Sequence, residues 1–210
     1  DVTISIEPLD CGRLTAPRSL FEAGATDDPI DLPVPAWLIR HPKGLVLLDC
    51  GMHAELTAPG PVLNAVSLFF DVGIDQGQLV AAALEAHEVD PSDIDVVVLS
   101  HLHFDHVGGL AQIPDAQVVV QAAEWAAGFD PDVAAANTMR REDYDLGHHV
   151  RQIDGEHDLF GDGRVSCLPT PGHTPGHQSL RVLWLYPVQG RRRVARPAIS
   201  LLTGSHALRR

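Results

Sequence analysis

Short apolar runs bounded by turn-forming residues set the rhythm of the chain. Val2-Thr3-Ile4-Ser5-Ile6, Ala36-Trp37-Leu38-Ile39, Leu45-Val46-Leu47-Leu48, Val96-Val97-Val98-Leu99 and Val118-Val119-Val120 read as strands. His41-Pro42-Lys43-Gly44 lies between two of them and has the composition of a hairpin turn. Gly77 to Ala86, rich in Ala and Leu, predicts a helix, closed by Pro91-Ser92 before the strand at Val96. Val165 to Leu168 and Leu180 to Tyr186 predict later strands on either side of a Gly/Pro/His loop. Glu124 to His149 predicts helical pieces joined at Asp130-Pro131, and the turn-rich, polar interval Thr15 to Pro35 predicts a long loop. Strand runs followed by strands mixed with helices point to a layered α/β (α+β) domain. Two runs stop on polar residues, Asp49 after Leu48 and Ser100-His101 after Leu99. Strand ends are where layered sheets collect ligands.

Composition narrows the class. The 210 residues are 45% hydrophobic and 20% charged, which excludes collagen-like and wholly disordered chains. A chain of this length suits one domain, taken here as residues 1–210, with a core that needs no disulfide staples. The three cysteines, Cys11, Cys50 and Cys167, are odd in number and widely spaced, which points to a reducing compartment. No apolar run approaches the 18 or so residues of a membrane span, and no leader pattern is visible, so a cytoplasmic protein is expected.

The formal net charge of −13 disfavours nucleic acid and anionic membranes as partners. The charge is unevenly placed. Residues 181–210 carry seven arginines and no acid, leaving 8 basic and 28 acidic side chains in the first 180. This basic end reads as a truncated or altered C-terminal part, with a natural basic tail as the alternative.

The histidines carry the chemistry. His101, His103, Asp105 and His106 fall within six residues. At an extended strand end residues i and i+2 point the same way, so His101 and His103 can share one cation. A turn toward Gly108-Gly109 then lets Asp105 and His106 face a second. Imidazole and carboxylate suit zinc, and a catalytic zinc keeps one position for water. The third nitrogen for the first ion is assigned to His173, in a loop pinned by Pro171, Gly172, Pro175 and Gly176. At the chain's own His and Asp frequencies the pattern H-x-H-x-D-H arises by chance only ~0.004 times, which separates it from a histidine-rich background. A structural zinc would favour cysteine, and no cysteine lies near the motif.

These residues resemble the metallo-β-lactamase superfamily, and within it the N-acyl-homoserine lactonase branch. The likeness is carried by Leu45 to Met52, Ser100 to Gly109, Val118 to Gln121 and Thr170 to Leu180, and it extends from about Ile4 to Val182. It implies an αββα sandwich with a two-zinc centre at one edge. His101, His103 and His173 would hold the first ion, and Asp105 and His106 part of the second. A hydroxide between the ions would open the lactone ring. Asp105 would be the catalytic residue, shuttling a proton to the leaving alkoxide, and Asp49 would orient a ligand histidine from behind. The implied partner is a small-molecule lactone or ester, and a homodimer is compatible.

The sequence departs from the family pattern near its end. The bridging aspartate of a Leu-Thr-Gly-Asp motif is replaced by Ser205, followed by His206, after Leu202-Thr203-Gly204. No later histidine or substrate-steadying tyrosine follows; Leu208 stands near the tyrosine's place. One or two zinc ions per chain are therefore expected, with weakened activity. Two rivals remain open: an ester or thioester hydrolase of the glyoxalase II kind, and a non-catalytic metal-binding relative. Among other features, His148-His149 with Asp145 read as a solvated turn and His177 as a packing histidine behind the site. Phe69 and Phe70 suit an acyl-chain groove or the core equally. Trp37, Trp125 and Trp184 read as core or edge aromatics.

Overall fold

The runs at 45–48, 96–99 and 118–120 are apolar at every position because both of their faces are covered. The computed structural model describes residues 4–183 and the backbone of 199–201. Its elements begin with β1 (Ser5–Pro17), β2 (Pro29–His41), β3 (Gly44–Leu48), α1 (Pro61–Val66), β4 (Asp71–Gly73) and α2 (Val80–Ala86). Next come β5 (Val96–Val98), α3 (Phe104–Val107), β6 (Gln117–Gln121), α4 (Ala122–Phe129), α5 (Pro131–Ala136) and β7 (Val150–Ile153). The second sheet follows, with β8 (His157–Asp158), β9 (Val165–Pro169), β10 (Gln178–Val182) and β11 (Ile199–Leu201).

Seven strands form one sheet in the order β4-β1-β2-β3-β5-β6-β7, and four form another in the order β11-β10-β9-β8. The neighbours β3, β5, β6 and β7 are parallel, whereas β2 runs antiparallel to both β1 and β3. Period-two alternation sorts the side chains. Leu47, Val97, Leu99, Val118 and Val120 face a helix-side core, and Val46, Leu48, Val98 and Val119 face a second core. All five helices contribute to the first core. The second lies between the sheets, where Val165, Cys167, Leu180 and Val182 complete it. Helices on sheet on sheet, the arrangement of the described residues, make three of the four layers of the expected αββα sandwich.

Most sequence expectations find their element. The hairpin turn joins β2 to β3, with His41 opposite Gly44. Asp130 caps α5 by accepting the backbone N–H groups of Asp132 and Val133, so α4 and α5 meet at Asp130-Pro131 as predicted. Trp37 and Trp125 are half-buried against the second and first cores. The expected long loop over Thr15 to Pro35 is a correction, because β1 continues to Pro17 and β2 begins at Pro29. The prolines that suggested a loop, Pro29, Pro33 and Pro35, pair with β1 on one side, while β3 joins β2 only from Trp37 onward. A proline's missing N–H costs no ladder bond on such an edge. The strand predicted at Val2 starts at Ser5, and Asp1–Thr3 lie outside the described residues. So do Trp184 to Tyr186 of the predicted Leu180–Tyr186 strand, Ser205, His206, Leu208 and most of the basic end.

Candidate metal centre

Three strands of the large sheet deliver polar residues at their carboxyl ends: Asp49 after β3, Ser100 and His101 after β5, and Gln121 at the end of β6. Asp49 turns the chain sharply, with φ of 61° in the left-handed region that aspartate tolerates better than most residues. Its carboxylate is fully buried and fully used. Oδ1 accepts the Ser100 N–H at 2.7 Å, and Oδ2 accepts the Ser100 hydroxyl at 2.8 Å and lies 2.8 Å from His106 Nδ1.

That network assigns tautomers. With its own proton given to Asp49, Ser100 Oγ can only accept from His101 Nδ1, 2.9 Å away. His101 is then left with a bare Nε2. His103 offers Nε2 to the carbonyl of Asn137 at 2.7 Å, the C-terminal cap of α5, which leaves Nδ1 bare. His101 Nε2 and His173 Nε2 each lie 3.0 Å from His103 Nδ1. The three ligand atoms fall within 4.8 Å of one another. Orienting an imidazole through its second nitrogen is how metal sites fix their histidines.

Electrostatics agrees with this reading. Burial, with the neighbouring imidazoles, holds His101 well below its ordinary value, lowers His103, and takes His173 down to about 3. All three are therefore neutral, the form that donates a lone pair. His106 is the opposite case. Burial pulls it down, but Asp105 and Asp49 together outweigh this and raise it to about 10. Burial likewise raises Asp105, and its pairing with His106 overcomes that and lowers it to about 2. The carboxylates of Asp49 and Asp105 hold His106 beside the three neutral imidazoles, and imidazole with carboxylate is a donor set that fits a divalent cation.

The structure thus brings together His101, His103 and His173. Asp105 and His106 sit beside them, with Asp105 Oδ2 at 3.3 Å from His106 Nε2 and the His106 ring centroid 4.1 Å from that of His101. His177 is buried, with Nδ1 2.9 Å from Thr170 Oγ1 and its ring 5.2 Å from His101. His148 and His149 turn away, toward the Ile113 carbonyl and Gln117.

Several supports were not foreseen from the sequence. Glu124 on α4 is fully buried and accepts the N–H of Leu102 at 3.1 Å and of Gly176 at 2.8 Å. Gln178 ties the two sheets under His101, its N–H on the Ser100 carbonyl at 2.9 Å and its amide on the Leu99 carbonyl at 2.8 Å. The sole signal for Glu124 was one acid inside the apolar stretch Ala122-Ala123-Glu124-Trp125-Ala126-Ala127. Gly109 lets the motif pack against the strand end, since a Cβ there would stand 2.1 Å from the Cys50 carbonyl.

Beside the centre opens a cleft of about 810 Å³, with His173 in its wall. Leu20, Phe21, Val66, Phe69, Phe70 and Phe104 make it apolar, and Thr138 and Arg140 add polar groups. Phe70 also packs on the core, whereas Phe69 is 61% exposed at the mouth.

A layered sandwich with a histidine centre at its strand ends defines a class, and comparison agrees: residues 29–183 match the metallo-beta-lactamase superfamily, to which the chain belongs. It is similar to the N-acyl homoserine lactonase AttM of Agrobacterium fabrum, 35% identical over 158 residues, covering 72% of this chain and 60% of that one. The N-acyl homoserine lactonase AiiA of Bacillus thuringiensis subsp. kurstaki is 30% identical over 187 residues, 82% of this chain and 67% of that one. Among solved structures, an N-acyl homoserine lactone hydrolase with the product N-hexanoyl-L-homoserine at its catalytic metal centre superposes with a TM-score of 0.75. That match has 26% identity and covers 86% of this chain and 70% of the other. The chain spans about three fifths of the length of the AttM relatives it matches.

Proposed function

We propose that this chain is a zinc-dependent lactonase acting on N-acyl homoserine lactones. The carrying observation is the convergence of His101 Nε2, His103 Nδ1 and His173 Nε2 at the wall of an apolar cleft. These three residues are assigned to the first ion, and Asp105 and His106 to part of a second. A cation bound there supplies polarisation of a carbonyl oxygen and acidification of water. The chain's own groups do the rest. The cleft takes the acyl tail against Phe21, Phe69 and Phe70 and keeps water from the reacting ester. The half-buried, ionised carboxylate of Asp105 accepts the proton of the attacking water as the carbonyl carbon gains its new C–O bond. It returns that proton to the ring oxygen as the lactone C–O bond breaks. Asp49 holds the His101 and His106 tautomers throughout.

The name of the relatives and the product in the superposed structure support the lactone over a thioester. The test is hydrolysis of N-hexanoyl homoserine lactone by the zinc-loaded chain, monitored by proton release, beside an S-acyl glutathione thioester. Lactone turnover without thioester turnover is expected, and the reverse would assign the chain to the glyoxalase II kind. A second reading rests on Ser205, a neutral hydroxyl where the family places a bridging carboxylate. It predicts one tight zinc per chain and weak turnover, read by metal analysis after desalting. We propose a cytoplasmic location; among the described residues no helix is long and apolar enough to cross a membrane.

A further inference from the structure

The three convergent histidines come from two different sheets. His101 and His103 leave the end of β5 in the large sheet, whereas His173 sits in the loop between β9 and β10 of the small one. A common point for their nitrogens demands that the two loops be held at a fixed separation, because a shift of a few tenths of an ångström spoils ligand distances. Glu124 is placed to do this. One oxygen of its carboxylate accepts the N–H of Leu102, between the two motif histidines, and the other accepts the N–H of Gly176, three residues beyond His173. The residue is fully buried on α4. A buried carboxylate persists only where donors satisfy it, and here these are backbone amides of the two ligand-bearing loops. Gly176 completes the joint, since a Cβ there would stand 2.1 Å from the Glu124 nitrogen and 2.7 Å from its Cβ.

We infer that Glu124 is a positioning residue for the metal centre, a strut whose two carboxylate oxygens set the distance between the His101–His103 segment and the His173 loop. The inference rests on the metal-site reading above and assigns Glu124 no contact with metal or substrate. Glu124→Gln keeps size and one acceptor oxygen but turns an NH2 group toward one of the two amides.

The experiment is calorimetric titration of the purified chain with zinc chloride, repeated with cobalt(II) chloride to read the ligand-field absorption. Four proteins are compared: wild type, Glu124→Gln, His173→Ala and the double variant. Glu124→Gln is expected to weaken zinc binding 10- to 100-fold, the usual cost of losing an outer support, and to alter the cobalt spectrum. In the His173→Ala background the same change is expected to cost less than about 3-fold, because the loop it holds no longer carries a ligand. Equal affinities of Glu124→Gln and wild type, or the same loss in both backgrounds, would overturn the inference while leaving the metal site standing. Failure of the wild type itself to bind zinc would overturn the functional reading and the strut with it. Should Glu124→Gln not fold, amide hydrogen exchange on the wild type decides. Leu102 and Gly176 are expected to be protected together, and exchange of either at free-loop rates would overturn the proposal.

Discussion

Asp49 shows how much one side chain can organise. Its two oxygens serve the Ser100 amide, the Ser100 hydroxyl and His106, and through Ser100 they decide which nitrogen of His101 faces inward. Asp49→Asn replaces one acceptor with a donor and leaves the buried His106 short of a carboxylate. We expect zinc affinity to fall about 10- to 100-fold and unfolding free energy by about 3–5 kcal/mol, read by calorimetry and urea denaturation. Asp105→Asn removes the proton carrier and is expected to lower lactone turnover by about 10²–10⁴; a milder loss would move the shuttle elsewhere. Far from the centre, His41 is stacked on Phe160, accepts the Lys43 N–H at Nδ1, and holds Nε2 3.1 Å from Asp162. Burial outweighs Asp162 and keeps His41 below its ordinary value. Below about pH 6.5 the unfolded chain therefore binds a proton that the folded chain does not, and stability falls as pH falls. Proton NMR of His41 should show a depressed titration, and His41→Phe should flatten that part of the stability–pH curve. At this scale the run from His101 to His106 was legible because its ligands are neighbours in sequence. Glu124 and Asn137 were not, because their partners lie 22 and 34 positions away.

At the scale of elements, the inner strands were legible from their unbroken apolar runs, and β1 and β2 were obscured by prolines that the edge tolerates. The same logic predicts where substitutions bite. Leu48 at the end of β3 is fully buried between the sheets. Leu48→Ala should cost about 2–5 kcal/mol, measured by thermal or urea unfolding of the metal-free chain. Leu68, 78% exposed beside the cleft mouth, makes the control, with an expected change within about 0.5 kcal/mol.

For the molecule as a whole, the cation and the fold are linked. A zinc ion at 100 times its dissociation constant adds about 2.7 kcal/mol of stability. Chelation should lower the midpoint of unfolding, and zinc, not magnesium, should restore it, as nitrogen ligands require. An unchanged midpoint on chelation would remove zinc from the proposed function. The acidic body and basic end were plain in composition.

The amino-acid sequence by itself determined the layered α/β class, the inner strands, and the residue types of a metal centre, because hydrophobic period and ligand spacing are local properties of the chain. The sequence assigned His173 to the ion held by His101 and His103, but the meeting of their ligand atoms within 4.8 Å was decided only by the tertiary structure. So were the bare nitrogens of His101 and His103, the support of Glu124, and the cleft against His173, whereas the supporting role of Asp49 was already implied by the family resemblance. Each of these is a relation between atoms that folding, and not chain order, brings within reach.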